Sequence, residues 1–292
     1  MAQMHSDPKK CRRMKHVQEP NGKKFVAGFL DQLAGAQTSA LLLDYDGTLA
    51  PFQTNRHQAY PYPRVVPLLE DIIQCKKTRV IVVSGRPVRE VQTLLSPLSH
   101  FEIWGTHGLE HVLLDGTYRQ TAIDPGSALL LSVAEMRLRK AGIESLAEFK
   151  RGGIAVHWRG LPDEEIENLR ARILEIWMDL VDQSGLRLLN FDGGVELRIA
   201  HPDKGDVVSA ILELDRNAQI AFLGDDLTDE DAFRVLNGRG LTVLVRPEYR
   251  ETNAKAWLRP PEELVTFLER WLRSIRRFAH GYYPSARIGR QT

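Results

Sequence analysis

The feature that most constrains the fold is an alternation of short apolar runs with amphipathic segments. Runs rich in apolar and branched side chains occur at 40–43, 79–83, 101–104, 219–223 and 241–245. The segments Val65–Lys77 and Glu262–Ser274 repeat apolar residues at helical spacing. Continuous apolar strands separated by helices are typical of a parallel sheet covered on both faces. The sequence therefore predicts an α/β fold that binds its ligand at the carboxyl edge of the sheet.

The middle of the chain, from about Pro125 to Ala200, follows a different pattern. A predicted helix and two strands are followed by a second helix and two more strands, with Gly152-Gly153 and Gly193-Gly194 between the strands of each pair. A diglycine between two strand-like runs favours a tight hairpin. We predict a small α+β domain of two αββ units at 125–200, inserted into a core formed by 25–124 and 201–275. One continuous mixed sheet is the alternative.

Both ends of the chain are basic and polar. This composition predicts a disordered tail at 1–24 and a second basic tail at 276–292. Binding of the first tail to a nucleic acid or an anionic surface is the alternative. The formal net charge of +1 argues against nucleic-acid binding that depends on overall basicity.

Targeting signals and cysteine patterns are both missing from the sequence. Its N-terminal part lacks the apolar run of a secretory signal, and no apolar stretch reaches the length of about 18 residues that a transmembrane helix needs. Cys11 and Cys75 have no CxxC spacing. We therefore expect a cytoplasmic protein with reduced thiols and no membrane contact.

The first chemical signal is a pair of acids at the end of a predicted strand. Asp44 and Asp46, followed by Gly47 and Thr48, come directly after the apolar run at 40–43. One carboxylate could attack phosphorus while the other moves protons. A turn built from aspartates, with no catalytic role, is the alternative.

A second acidic cluster follows the strand predicted at 219–223. Asp225, Asp226 and Asp229 lie within five positions and would repel one another unless a cation lay between them. Oxygen ligands of this kind suit Mg²⁺. Capping of the next helix by Thr228 or Asp229 would explain part of the cluster instead.

Two weaker signals complete the set. Ser84, in Ser84-Gly85-Arg86, ends another predicted strand, where a hydroxyl and free backbone N–H groups could bind a phosphate. Lys204, at the exit of the predicted insertion, could neutralise a phosphate and a carboxylate together. Each of the two also occurs commonly without such a role.

Taken in order, these four signals resemble the motifs of haloacid-dehalogenase-type phosphatases. The chain from about Lys24 to Ser274 is most similar to the trehalose-6-phosphate phosphatases of that superfamily. The segments that carry this resemblance are Leu42–Leu49, Val83–Pro87, Gly105–Glu110, Val156–Arg159, Val195–Arg198 and Leu223–Phe233. It implies a Rossmann-like parallel-sheet core with an inserted α+β cap of the C2b type.

The resemblance also implies roles for single residues. Asp44 would attack phosphorus, Asp46 would protonate the leaving oxygen and then activate water, and Ser84 and Lys204 would hold the phosphate, with Arg86 close by. Mg²⁺ would be bound by residues among Asp44, Asp46, Asp225, Asp226 and Asp229. The sugar would be bound by residues among His107, Glu110, Glu148, Lys150, His157, Arg159, Glu196 and Arg198. A solvated sheet face with ion pairs is the alternative for the cap residues.

The implied reaction is the Mg²⁺-dependent hydrolysis of trehalose 6-phosphate through an aspartyl-phosphate. The alternatives are a phosphatase for sucrose 6-phosphate or a glycosylglycerate phosphate, a sugar phosphomutase with the same core, and a regulatory homologue that only binds sugar phosphate. Because 292 residues leave no room for a fused synthase, we expect a separate trehalose-6-phosphate synthase upstream. We also expect a monomer.

Overall fold

The computed structural model describes residues 22–181, 185–191 and 193–279. Helix α1 begins at Gly22, inside the segment predicted as an N-terminal tail, and the last helix continues to Ala279. The remainder of both predicted tails lies outside the described residues. The helices are α1 (Gly22–Gly35), α2 (Val65–Gln74), α3 (Val88–Leu94), α4 (Pro125–Lys140), α5 (Asp163–Val181), α6 (Lys204–Leu214), α7 (Asp229–Leu236) and α8 (Glu262–Ala279).

The strands form two separate sheets. They are β1 (Ser39–Leu43), β2 (Thr78–Val83), β3 (Glu102–Gly105), β4 (Glu110–Val112), β5 (Tyr118–Gln120), β6 (Ala147–Lys150), β7 (Gly153–His157), β8 (Leu186–Phe191), β9 (Gly194–Ile199), β10 (Gln219–Gly224), β11 (Leu241–Val245) and β12 (Ala256–Leu258). The larger sheet has the order β12-β11-β10-β1-β2-β3-β4-β5, and the smaller has the order β6-β7-β9-β8.

The larger sheet is parallel from β12 to β3, and β4 and β5 add an antiparallel edge. The apolar runs of the sequence correspond to β1, β2, β3, β10 and β11. Strands β4, β5 and β12 have three residues each and were not predicted, because so short a segment carries no readable periodicity. The expectation of a purely parallel core is thus corrected at one edge.

Alternate side chains of the central strands pack into two apolar layers, one on each face of the larger sheet. Leu41 and Leu43 of β1 pack with α1, α2, α3 and α8 on one face, while Ala40 and Leu42 pack with α6 and α7 on the other. This is the period of two expected for a strand buried on both faces. The layers hold the carboxyl ends of β1, β2 and β10 side by side, because these strands are adjacent and parallel.

The smaller sheet is antiparallel and carries α4 and α5 on one face, around the fully buried Trp177. The element order α4-β6-β7-α5-β8-β9 confirms the two predicted αββ units. At the first hairpin Gly152 has a φ of 76°, a conformation that glycine adopts at little steric cost. The two sheets confirm the predicted fold class, an α/β core with an α+β insertion, whereas the domain boundaries stay predictions. None of the described helices is long and apolar enough to cross a bilayer.

Candidate active site

One cavity of about 300 Å³ opens between the carboxyl edge of the larger sheet and the uncovered face of the smaller sheet. It brings together most of the residues that the sequence predicted. The predicted residues lining it are Asp44, Asp46, Arg86, His107, Glu148, Lys150, His157, Arg159, Glu196, Lys204, Asp225 and Asp226. The two sets of residues, from the ends of core strands and from the inserted sheet, therefore face one space.

A buried charge cluster forms the floor of this cavity. Lys204 Nζ donates hydrogen bonds to Asp44 Oδ1 at 2.6 Å and to Asp229 Oδ1 at 2.7 Å. All three side chains are at most 6% exposed. Lys204 is the first residue of α6, whose start is capped by Asp203. The end of the insertion thus passes directly into the helix that places the lysine beside Asp44.

The second carboxylate oxygen of Asp229 is also engaged. Asp229 Oδ2 accepts the backbone N–H groups of Asp225 and Asp226, each at 2.9 Å. Neither Thr228 nor Asp229 therefore caps α7 through its side chain, since Thr228 makes no capping bond either. Asp229 instead holds the acidic loop and Lys204 in place.

Three acids form a group suited to a cation. One carboxylate oxygen each from Asp44, Asp225 and Asp229 lies within 4.8 Å of the others. Asp225 Oδ2 is buried without a hydrogen-bond partner among the described residues. A Cβ at Gly47, whose φ is 77°, would collide with that oxygen, so glycine leaves room beside it. An all-oxygen set with an unsatisfied buried acceptor fits a hard divalent cation.

Two acids of this group, Asp44 and Asp225, resist ionisation when no cation is present. Burial raises the pKa of Asp44 to about 7, with Lys204 lowering it and Asp229 raising it further. The pKa of Asp225 lies well above its ordinary value, because of burial and the nearby charge of Asp44. Burial lowers the pKa of Lys204, but Asp229 and Asp44 raise it by more. Lys204 is therefore a fixed positive charge beside Asp44.

The carboxylate of Asp46 is bound to the guanidinium of Arg86. Arg86 Nε donates to Asp46 Oδ2 and Arg86 Nη2 donates to Asp46 Oδ1, both at 2.6 Å. The arginine side chain is 5% exposed, whereas Asp46 is 31% exposed. Asp46 is thus the more accessible of the two partners. Its carboxylate is at present an acceptor of two charge-assisted hydrogen bonds.

One row of polar side chains in the cavity joins Lys150 and Glu196 of the smaller sheet to His107 of the core. Lys150 Nζ lies 2.9 Å from Glu196 Oε1, and His107 Nε2 lies 3.4 Å from Glu196 Oε2. Burial raises the pKa of Glu196, yet Lys150 and His107 lower it by more, to well below its ordinary range. Burial and Arg198 lower the pKa of His107 to about 4. At neutral pH the row therefore contains a carboxylate, an ammonium group and a neutral imidazole.

A second row lies towards the cavity mouth. His157 Nε2 is 3.1 Å from Glu148 Oε2, and the imidazole packs edge-on against Phe191. The guanidinium of Arg159 lies 5.0 Å from the ring centre of Phe52, which belongs to the segment after β1 in the α/β core. Polar groups beside aromatic faces are suitable for the hydroxyls and the apolar faces of a sugar.

Four of the predicted residues do not line the cavity. Ser84 is buried behind Gly85, and its Oγ accepts the N–H of Arg86 at 3.1 Å. Asp229 lies beneath the floor, and Arg198 is buried against Pro202, to whose carbonyl it donates at 3.4 Å. Glu110 accepts the N–H of Val88 at 2.8 Å, in a separate groove. Its carboxylate caps the start of α3, so the expected approach of Glu110 to the sugar is not seen.

The structure adds residues that the sequence did not indicate. Phe52, Gln53, Thr54 and Arg56 line the cavity from the segment after Asp46, together with Phe191 and Thr228. Their only sequence signal was their position after a strand that ends in catalytic-type acids. Strand periodicity also failed to distinguish Phe191 from an ordinary apolar strand residue.

Comparison with known proteins identifies the family. The family model for trehalose-phosphatase matches residues 42–260. The chain belongs to the trehalose-phosphatase family. This match includes the end of β1, both acidic clusters and the whole insertion, and it confirms the resemblance found in the motifs.

Among individual relatives, one is named for the same activity as the family and another is not. The chain is 30% identical over 278 residues to the trehalose-phosphate phosphatase of Mycolicibacterium paratuberculosis, covering 89% of this chain and 68% of that protein. It is 32% identical over 230 residues to an uncharacterised glycosyl hydrolase of Mycobacterium tuberculosis, covering 74% of this chain. The chain spans only 17% of the length of that relative.

A solved structure has the same fold. The C-terminal domain of trehalose-6-phosphate phosphatase from C. albicans superposes with a TM-score of 0.73 at 20% identity. The match covers 85% of this chain and 96% of that domain. At this identity the likeness shows that the two proteins share a fold, including both the core and the insertion.

Proposed function

We propose that the chain hydrolyses trehalose 6-phosphate to trehalose and phosphate through an aspartyl-phosphate on Asp44. The observation that carries the proposal is the single cavity, whose floor holds Asp44, Lys204 and Asp225 and whose roof is a polar sheet face. The floor suits a phosphoryl group and the roof suits a hydroxyl-rich leaving group. Membership of the trehalose-phosphatase family supports this substrate.

In the first step, an Asp44 oxygen attacks phosphorus and the bond from phosphorus to the sugar oxygen breaks. Asp46 gives its proton to that leaving oxygen. In the second step, water loses a proton to Asp46 and attacks phosphorus, which releases Asp44 and phosphate. Lys204 holds the nucleophile throughout, because its hydrogen bond to Asp44 fixes one carboxylate oxygen and leaves the other to attack.

Asp46 has to leave Arg86 and take up a proton from solvent before it can donate one in the first turnover; in later turnovers the attacking water supplies that proton. A carboxylate that accepts two hydrogen bonds from a guanidinium carries no proton to give. The greater exposure of Asp46 means that this side chain turns towards the leaving oxygen while the buried Arg86 stays. Ser84 supports Arg86 from behind through its bond to the backbone N–H.

The buried acids fit a divalent cation, which we propose to be Mg²⁺. Asp44 and Asp225 would hold it, since the buried Asp225 Oδ2 accepts no hydrogen bond from the described residues, whereas both oxygens of Asp229 are engaged. When bound, the cation neutralises negative charge on the phosphoryl group during transfer. Asp226 lines the cavity but is not part of the buried group, so we assign it an orienting role.

The test is a phosphate-release assay across a panel of sugar phosphates, with Mg²⁺ and after treatment with EDTA. We expect release from trehalose 6-phosphate to exceed release from sucrose 6-phosphate and glycosylglycerate phosphates, and to stop with EDTA. Silence on the whole panel together with isomerised sugar phosphate would indicate a phosphomutase. Binding without turnover would indicate a regulatory homologue. The cytoplasmic location, the monomeric state and the separate upstream synthase stay predictions.

A further inference from the structure

Arg56 lies in the wall of the cavity, on the short helical turn that follows the Asp46 loop. Its guanidinium forms an ion pair with Glu90 of α3 at 2.9 Å and a second ion pair with Glu148 of β6. Glu90 belongs to the core and Glu148 to the inserted sheet. One cation therefore joins carboxylates from the two parts of the molecule that enclose the substrate.

The same residue is linked to the Asp46 end of the cavity. Its backbone carbonyl accepts a hydrogen bond from Arg86 Nη1 at 2.8 Å, and Glu90 Oε2 also lies 3.3 Å from that nitrogen. The other two nitrogens of Arg86 hold Asp46. A continuous chain of polar contacts thus runs from Asp46 through Arg86, Glu90 and Arg56 to Glu148.

On the insertion side, Glu148 is held as a carboxylate. Burial raises its pKa, but His157, Lys150 and Arg56 lower it by more, to about 2. Without the Arg56 side chain, Glu90 and Glu148 would face each other as like charges. Loss of the Arg56 side chain would therefore weaken the contact between the inserted sheet and the core.

We propose that Arg56 is a positioning residue that couples the sugar-facing sheet to the phosphoryl site. The proposal rests on the function proposed above, because it requires a substrate that spans both parts. Arg56 fixes the position of Glu148 relative to Asp44 and Asp46. Sugar phosphates then depend on Arg56 far more strongly than phosphate esters that do not reach the inserted sheet.

The experiment compares Arg56→Gln, Glu148→Gln and the double variant with the wild-type chain. The substitution of Arg56 leaves its backbone carbonyl, and so the contact to Arg86, in place. Substrates are trehalose 6-phosphate and the small ester p-nitrophenyl phosphate. We expect kcat/KM for the sugar phosphate to fall by about 10- to 100-fold, at least 10-fold more than for the small ester. The double variant should lose about as much as the worse single variant, because each substitution already breaks the contact between Arg56 and Glu148.

A binding measurement separates positioning from a general loss of structure. In an Asp44→Asn background, calorimetry should show weaker binding of trehalose 6-phosphate after Arg56→Gln and unchanged binding of inorganic phosphate. Arg64→Gln is the matched control, since Arg64 also pairs with a glutamate, Glu269, but on the outer surface. This control should change neither measurement.

Each result decides between two claims. Equal losses on both substrates, additive losses in the double variant, or no loss would overturn the coupling role of Arg56. A wild-type chain that releases no phosphate from any sugar phosphate would overturn the proposed function, and this inference with it. The wild-type arm therefore tests the function, and the variant arms test Arg56.

Discussion

Replacing Asp44 with asparagine should stop turnover and also stabilise the protein when no cation is bound. The nucleophile is 5% exposed, and it lies beside Asp229 and Asp225 as well as Lys204. Asparagine has nearly the same volume, and its Oδ1 can still accept from Lys204. The substitution therefore removes a costly buried charge while keeping the packing.

The size of the effect follows from the pKa of Asp44, which burial raises from 3.8 to about 7 even though Lys204 opposes the rise. This change corresponds to about 4 kcal/mol of folding free energy. The sign follows from proton binding. Between pH 4 and 7 the folded state keeps a proton that the unfolded state has lost, so stability falls as pH rises. Above pH 7 the full cost is present.

The assay is urea unfolding at several pH values between 4 and 8, with EDTA present. The free energy of unfolding of Asp44→Asn should exceed that of the wild-type chain by a margin that grows with pH and levels off near 4 kcal/mol above pH 7. Mg²⁺ should stabilise the wild-type chain more than the variant and so reduce the margin. The control is Asp31→Asn, because Asp31 is exposed on α1.

A variant that is less stable than the wild-type chain at pH 8 without cation would refute the reasoning. So would a margin that does not change between pH 4 and 7. Either result would mean that Lys204 and the surrounding hydrogen bonds overcome the burial of Asp44. Substantial turnover by the variant would separately refute Asp44 as the nucleophile.

Two further predictions concern His107 and the acidic loop on the floor of the cavity. Because the buried His107 has its pKa lowered to about 4, the unfolded state binds its proton first as pH falls. Relative to a chain without this imidazole, the wild-type chain should therefore lose about 3 kcal/mol of unfolding free energy between pH 6.5 and 4. His107→Asn, chosen because asparagine tolerates the φ of 55°, should lack this loss in urea titrations, and an identical pH slope would contradict the assignment. Arg250 donates to the carbonyls of Asp225 at 3.2 Å and Asp226 at 2.7 Å. Arg250→Gln should weaken Mg²⁺ binding by about 10- to 100-fold in calorimetry, whereas the exposed Arg239→Gln should not; unchanged affinity in Arg250→Gln would show that the loop keeps its shape without Arg250.

Much of the fold could be predicted because local periodicity reports burial. The runs at 40–43, 79–83 and 219–223 became β1, β2 and β10, since branched apolar residues in short stretches suit a strand buried on both faces. The position of Asp44 and of Asp225 also followed from the sequence. Parallel strands that lie side by side bring their carboxyl ends to one edge, so acids at those ends must meet.

Other features depended on contacts between distant segments. Strands β4, β5 and β12 form because a neighbouring strand already offers unpaired N–H and C=O groups, which no pattern within three residues reveals. Glu110 matched a family segment but caps α3, because the N-terminus of that helix lies within its reach. Arg56 carried no motif and gained its place from Glu90 and Glu148.

The sequence by itself determined the kind of chemistry, since acids after apolar strands and a lysine after the insertion specify carboxylates and a cation at one sheet edge. The tertiary structure decided how that chemistry is divided among the residues. Asp229 has its oxygens taken by Lys204 and two backbone N–H groups, while Asp225 Oδ2 is buried and accepts no hydrogen bond from the described residues. That distinction arises from which donors the fold brings within hydrogen-bond distance, and spacing along the chain does not encode it.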